Sequence, residues 1–213
     1  MITFYYGSGS PYGWRVWLAL EHKRLPYDLK VMSFSSGDLT RPEYLAINPR
    51  HKVPAITDDG FALYESAAIV EYLDEAYPTG PSLFPGSIQH RAVVRRMVQE
   101  IDQYYAIAME RIVDQVLFTP QEKWDLEEIS EARARLAEEL QRWESGMRGA
   151  CLAGDSVSAA DFALYPLVAL TRRMEKKRPE LDVAGMTGPK VSAWMQRIEN
   201  LPYFRTTWPP HWK

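Results

Sequence analysis

The stretch Asn48, Pro49, Arg50, His51, Lys52, Val53, Pro54 runs into an alternating segment, then Asp58, Asp59, Gly60, and then Glu65 and Ser66 at the head of an apolar run. Pro54 has a fixed φ and no N–H, so the residues it introduces read as an edge strand. Asp59 and Gly60 between two β-rich segments signal a hairpin, which pairs Pro54–Thr57 with Phe61–Tyr64. Glu65 to Tyr77 then carries helical spacing. Working back toward the start, Ile2–Tyr6 is β-rich, Pro11–His22 is helical in pattern and Tyr27–Phe34 reads extended. The order β, α, β, then β, β, α predicts an α/β domain with a mixed four-stranded sheet and helices packed on it.

Pro78, Thr79, Gly80, Pro81, Ser82 and then Pro85, Gly86 form a Pro/Gly-rich stretch of the kind that joins domains. We therefore expect a first domain over residues 1–78, a linker over 79–86 and an all-helical domain over 87–213. Val94, Met97, Val98, Ile101, Tyr105, Ala108, Ile112 and Val116 fall on one helix face, as do Ile129, Leu136, Leu140, Trp143 and Met147. Further helices are expected over Ala159–Arg173, interrupted or kinked by Pro166, and over Pro189–Ile198.

Composition narrows the function classes. The 213 residues are 46% hydrophobic and 12% aromatic, enough for sizeable cores. Lys and Arg total 25 against 28 acidic residues, so the net charge of −3 gives no pull toward phosphate backbones and argues against a nucleic-acid partner. The longest apolar run, Phe162–Leu170, falls short of the roughly 18 residues a membrane span needs. A single cysteine, Cys151, permits no internal disulfide, and the four histidines lack metal-ligand spacing, so we expect a cytoplasmic protein with no metal.

Four motifs carry candidate chemistry. Ser10 precedes Pro11 at the head of the first helix, where it reads as an N-cap. The same hydroxyl, with the helix dipole behind it, can donate to an anion such as a thiolate. Val53–Pro54 reads either as a trans proline opening an edge strand or as a cis bond that turns the Val53 backbone outward to pair with a peptide ligand. Glu65 and Ser66 read either as ordinary first-turn residues or as a carboxylate and hydroxyl that grip a ligand's ammonium and carboxylate. Ser158 to Asp161 is a capping box whose role is to start a buried helix. Cys151 reads as a small packed hydrophobe. The run Trp208, Pro209, Pro210, His211, Trp212 either packs on the helical domain or covers a pocket.

Taken in order, Ser10, Pro11, Tyr12; Asn48, Pro49, His51 to Pro54; Asp59, Gly60, Leu63, Glu65, Ser66, Ile69, Tyr72, Leu73; and Leu152 to Asp155 leading into Asp161 resemble the cytosolic glutathione S-transferase superfamily, serine-type. The resemblance implies a thioredoxin-like domain that binds glutathione and a helical domain that supplies most of the second-substrate pocket. It implies Ser10 as the residue acting on the thiol, with Ser8 and a tyrosine (Tyr5 or Tyr6) as alternatives. His51 and Lys52 would take the glycyl carboxylate, the Val53 backbone the cysteinyl residue with Pro54 as its cis-proline, and Glu65 with Ser66 the γ-glutamyl end. Tyr105 and Met109 are apolar side chains on a helix that could face the second-substrate pocket, and core packing explains them at least as well. The implied activity is attack of glutathione thiolate on a small hydrophobic electrophile, a detoxification reaction, by a homodimer. An interaction protein without catalysis and a glutathione-dependent disulfide reductase or isomerase are the alternatives; glutaredoxin-like reduction wants a cysteine where Ser10 stands.

Overall fold

The computed structural model describes residues 1–212 of the chain, which form two compact units. The first comprises Met1–Phe84 with the described residues from Leu201 onward, the second Pro85–Asn200.

In the first unit, β1 (Ile2–Gly7) is followed by α1 (Pro11–Lys23), β2 (Tyr27–Met32), the short helix α2 (Pro42–Leu45), β3 (Ala55–Asp58), β4 (Phe61–Tyr64) and α3 (Ser66–Ala76). The sheet has the order β2-β1-β3-β4, so the strand after Pro54 is an inner strand paired with both β1 and β4 and not the edge strand that the proline suggested; Pro54 itself lies just before it, outside the ladder. β1 runs parallel to β2 and antiparallel to β3, and the β3–β4 hairpin closes on Asp58 opposite Phe61. Its two turn residues, Asp59 (φ 46°) and Gly60 (φ 90°), both take the positive φ that a tight two-residue hairpin requires. Ile2, Phe4 and Tyr6 alternate into the core while Thr3 and Tyr5 are half-buried, and each of the buried large residues contributes about 2 kcal/mol by burial. α1 is apolar nearly all round and Trp14, Val16, Leu18 and Leu20 are buried. Its last turn is tied to α3 by the buried Lys23, whose ammonium donates to Asp74 at 3.0 Å. Against the upward push of burial, the Leu83 N–H, Lys23 and Ser82 hold the Asp74 carboxyl below its ordinary range.

The closing segment departs from the expected division. Residues from 201 on were assigned to the helical domain, but α10 (Phe204–Thr207) packs on α1 in the first unit. The cause is aromatic burial: Trp14 lies against Phe204, Trp208 and Trp212 and donates its indole N–H to the buried Thr207 Oγ1 at 2.9 Å.

The second unit contains α4 (Ile88–Glu100), α5 (Ala106–Val113), α6 (Leu126–Gly146), α7 (Ala159–Met174), α8 (Val183–Met186) and α9 (Pro189–Glu199). Wide π-helical turns at Ile101–Tyr105 and Asp114–Phe118 continue α4 and α5. The predicted face Val94, Val98, Ile101, Tyr105, Ala108, Ile112 and Val116 is buried. α7 runs unbroken through Pro166 rather than stopping there, and it is buried over almost its whole length. At its start the Asp161 carboxylate, itself fully buried, accepts from Leu152 N–H and Trp194 Nε1–H on one oxygen and from Ser158 N–H and Oγ–H on the other. Tyr105 and Met109, which the sequence left open to a substrate pocket or to the core, are core residues; the Tyr105 hydroxyl lies 3.3 Å from Thr171 Oγ1. Cys151 is buried, and burial pushes its thiol up to about 12.

Candidate active site

β1 ends at Gly7 and the chain turns through Ser8 and Gly9 before α1 begins at Pro11. Ser10 is the N-cap: its Oγ accepts the Gly13 N–H at 3.1 Å, and its backbone C=O accepts the Trp14 N–H at 2.9 Å. A capping hydroxyl uses a lone pair for the helix, so its proton is available to a ligand at the positive end of the dipole. The other hydroxyls of this loop are engaged differently. Tyr6 is buried and its phenol oxygen accepts the Gly9 N–H at 3.2 Å. Burial pushes that phenol up, opposed by the Gly9 N–H and the Ser8 hydroxyl. Tyr5 packs its ring on Tyr44, 5.6 Å between centroids, beside Val53. Ser8 Oγ lies 2.6 Å from His211 Nδ1.

The decisive stretch of sequence is folded around its own backbone. Asn48 is buried; its side-chain N–H donates to Lys52 O at 2.7 Å and its Oδ1 accepts the Arg50 N–H at 2.9 Å. Tyr44 hydroxyl donates to the same Lys52 carbonyl at 2.5 Å. The chain then passes through His51 in the left-handed region (φ 57°) and a cis Val53–Pro54 bond. Among the described residues the Val53 N–H and C=O have no hydrogen-bond partner. Val53 is adjacent to the serine loop: a Cβ on Gly7 would stand 2.7 Å from Val53 Cγ2 and 2.5 Å from the Phe34 ring, so a side chain there would have to displace both. The side chains of His51 and Lys52 are exposed.

α3 starts one residue later than its pattern suggested, because Glu65 (φ 71°, ψ 109°) is its N-cap and not its first turn. Glu65 is exposed while Ser66 is buried, and Ser66 Oγ accepts from Arg15 Nη1 at 3.2 Å. Sequence reasoning missed Arg15. The signal was present in a single charged residue inside the Trp14–Leu20 run of a helix that is otherwise apolar there. Arg15 is itself buried and stacks on the Tyr12 ring at 5.6 Å, so it brings positive charge to the head of α3. Of the predicted site residues, Ser10 N–H donates to Gly7 O at 3.0 Å beside Val53, and Ser66 accepts from Arg15 on the helix that Ser10 caps, whereas Ser158 and Asp161 belong to the second unit.

Residues 9–76 match the glutathione S-transferase N-terminal domain family model, and residues 104–202 match the glutathione S-transferase C-terminal domain model. The chain is 32% identical to a probable maleylacetoacetate isomerase 2 of Drosophila melanogaster across 94% of its own length and 84% of that relative. The chain belongs to the glutathione S-transferase family. A glutathione S-transferase A of Pleuronectes platessa is 28% identical over 99% of the chain and 92% of that protein. Among solved structures, glutathione transferase F7 of Populus trichocarpa superposes with a TM-score of 0.82 at 27% identity, covering 97% of each chain. The protein is a glutathione transferase with a thioredoxin-like first unit and a helical second unit, and glutathione is its co-substrate. Among the described residues no group of His, Cys, Asp and Glu could hold a metal ion, and no helix is long and apolar enough to cross a membrane.

Proposed function

We propose that Ser10 activates the glutathione thiol and that the thiolate attacks a small hydrophobic electrophile. The observation that carries this reading is the Ser10 hydroxyl, which caps α1 through its lone pair and keeps its proton for the sulfur. A free thiol has a pKa near 8.5 and is only a few per cent thiolate at pH 7. Lowering it by roughly 2 units takes about 2.7 kcal/mol of preference for the anion, which one hydroxyl donor and a helix N-terminus supply together. In the reaction the S–H bond breaks and its proton leaves to solvent. The thiolate forms a C–S bond and, with a chlorinated nitroarene, chloride departs with the bonding electrons.

The rest of the tripeptide is assigned in the same way. The unpartnered Val53 N–H and C=O pair with the cysteinyl backbone, Glu65 takes the γ-glutamyl ammonium, Ser66 takes its carboxylate with Arg15 behind it, and His51 and Lys52 hold the glycyl carboxylate. Replacing Ser10 with alanine should lower kcat for glutathione conjugation to a chlorinated nitroarene by about 10-fold, the roughly 1.5 kcal/mol that the hydroxyl contributes beside the helix N-terminus, which the variant keeps. A variant that keeps the parental rate, with Tyr6→Phe losing it, would overturn the assignment.

We propose a cytoplasmic homodimer. The second unit carries a groove of about 830 Å³ between α4, α5 and α6, bordered by Arg96, Tyr104, Ile107, Arg111, Arg142 and Trp143, with Tyr104 and Ile107 more than half exposed. Apolar side chains left open in a charged rim suit a second copy of this chain. Sedimentation at micromolar concentration that shows only a 24.5 kDa species would refute it. The likeness to a probable maleylacetoacetate isomerase favours a second reading, glutathione-dependent cis–trans isomerisation of a maleyl substrate by the same thiolate.

A further inference from the structure

We propose that His211 is a positioning residue of the thiol-activating loop, acting through Ser8; the inference rests on the reading of Ser8–Ser10 as that loop. The closing segment is fixed before it reaches the loop. Trp208 and Trp212 stand edge-on to Trp14 at 5.5 and 5.4 Å, Thr207 holds the Trp14 indole N–H, and the Trp212 N–H donates to Pro209 O at 2.9 Å. Pro209 and Pro210 fix two successive φ angles between these anchors. His211 is thereby set on the loop, with Nδ1 2.6 Å from Ser8 Oγ.

The fit is close enough to constrain the loop sequence. Gly9 has a φ of 88°, and a Cβ there would stand 2.5 Å from His211 Cε1 and 3.3 Å from Trp212 Nε1. From the inner side, the Tyr6 hydroxyl holds the Gly9 N–H. The loop is therefore gripped on one face by a residue of β1 and on the other by one 203 positions from Ser8. Ser10 is two residues on, and the direction of its hydroxyl follows the path of this backbone. An error of a fraction of an ångström in a donor aimed at sulfur weakens thiolate stabilisation more than ground-state binding.

The experiment compares His211→Ala, His211→Gln, Ser8→Ala, the Ser8→Ala/His211→Ala pair and Ser10→Ala in the full chain. The thiolate absorbance of bound glutathione and steady-state conjugation to a chlorinated nitroarene are the readouts. His211→Ala should raise the midpoint of thiolate formation by about 0.5–1 pH unit and lower kcat about 3- to 10-fold at pH values below that midpoint. The glutathione KM should stay within about twofold and the melting temperature should not move, since the ring is exposed. His211→Gln, which retains a hydrogen-bonding group, should recover most of the loss. The double variant should be no worse than either single one. An unchanged thiolate midpoint in His211→Ala, a loss confined to glutathione KM, or additive effects of the two substitutions would each overturn the proposal. Ser10→Ala separates it from the underlying assignment. If that variant keeps the thiolate while His211→Ala loses it, Ser10 is the wrong hydroxyl and the Ser8–His211 pair stands.

Discussion

Replacing Asp161 with asparagine keeps the shape of the side chain and removes its charge. Each carboxylate oxygen faces two donors, Leu152 N–H and Trp194 Nε1–H at 2.9 and 2.8 Å, and Ser158 N–H and Oγ–H at 2.8 Å each. Burial pushes this carboxyl up, and the four donors oppose it. A proton on the oxygen facing Leu152 and Trp194 would point at two N–H donors, and one on the other oxygen would need the Ser158 hydroxyl to rotate and would still face the Ser158 N–H, so the geometry favours the anion. Asparagine would turn its NH2 toward Ser158, whose hydroxyl can rotate to accept, and would leave the Ser158 N–H unsatisfied. One orphaned buried donor costs about 1–3 kcal/mol, and the bonds that remain change from charge-assisted to neutral at about 0.5–1 kcal/mol each. Relief of burying a charge offsets part of this, for a net loss of about 3 kcal/mol. Asp161→Ala, which leaves three N–H groups without an acceptor, should cost more, about 4–5 kcal/mol. Urea unfolding followed by helical circular dichroism measures both. A loss under about 1 kcal/mol for asparagine, with a large loss for alanine, would show that the carboxyl is held neutral and would refute the argument.

His90 places Nδ1 2.7 Å from Pro85 O and Nε2 2.6 Å from Ala153 O, so both ring nitrogens find acceptors only when the ring is protonated, and the Ala153 and Pro85 carbonyls raise its pKa. Because the folded value is raised, this stabilisation is fully present below the unfolded value of about 6.5 and fades as pH rises through the folded one; the stability gap between parent and His90→Asn should be up to about 1 kcal/mol near pH 6 and vanish at higher pH, and a gap that grows with pH in urea titrations would contradict it. Arg15→Met removes the charged donor to Ser66, and calorimetry should show glutathione binding about tenfold weaker, roughly 1.4 kcal/mol; an unchanged Kd would remove Arg15 from the site.

Local signals were legible in the sequence wherever a residue type answers a local backbone demand. Asp59-Gly60 announced the hairpin because positive φ is cheap there, and Ser10-Pro11 announced α1 because a capping oxygen and a ring without an N–H suit the first turn. The apolar face from Val94 to Val116 was readable because it repeats. What could not be read depends on partners distant in the chain. Nothing near Arg15 says that its guanidinium will meet Ser66, 51 residues on, and nothing near Trp208 says that its ring will rest on Trp14 and not on the helical unit. The π-helical turns after α4 escaped for another reason, since one extra residue per turn leaves no mark on composition.

The strained residues of the first unit bear on why this stretch reads as a site. His51 and Glu65 both hold positive φ, 57° and 71°, on either side of the β3–β4 hairpin. Glycine would adopt either conformation at lower cost, by about 1 kcal/mol or more. A chain that needed only the turn before β3 and the cap of α3 has no reason to accept that cost at both places, since neither side chain is buried. On the proposed reading the side chains are the reason: one meets the glycyl carboxylate and the other the γ-glutamyl ammonium. Each must project from a backbone direction that an ordinary strand end or first helical turn does not offer. Strain at exposed non-glycine residues thus favours the ligand-holding interpretation of Asn48–Ser66 over the purely structural one, which residue type and spacing alone had left the stronger for each part.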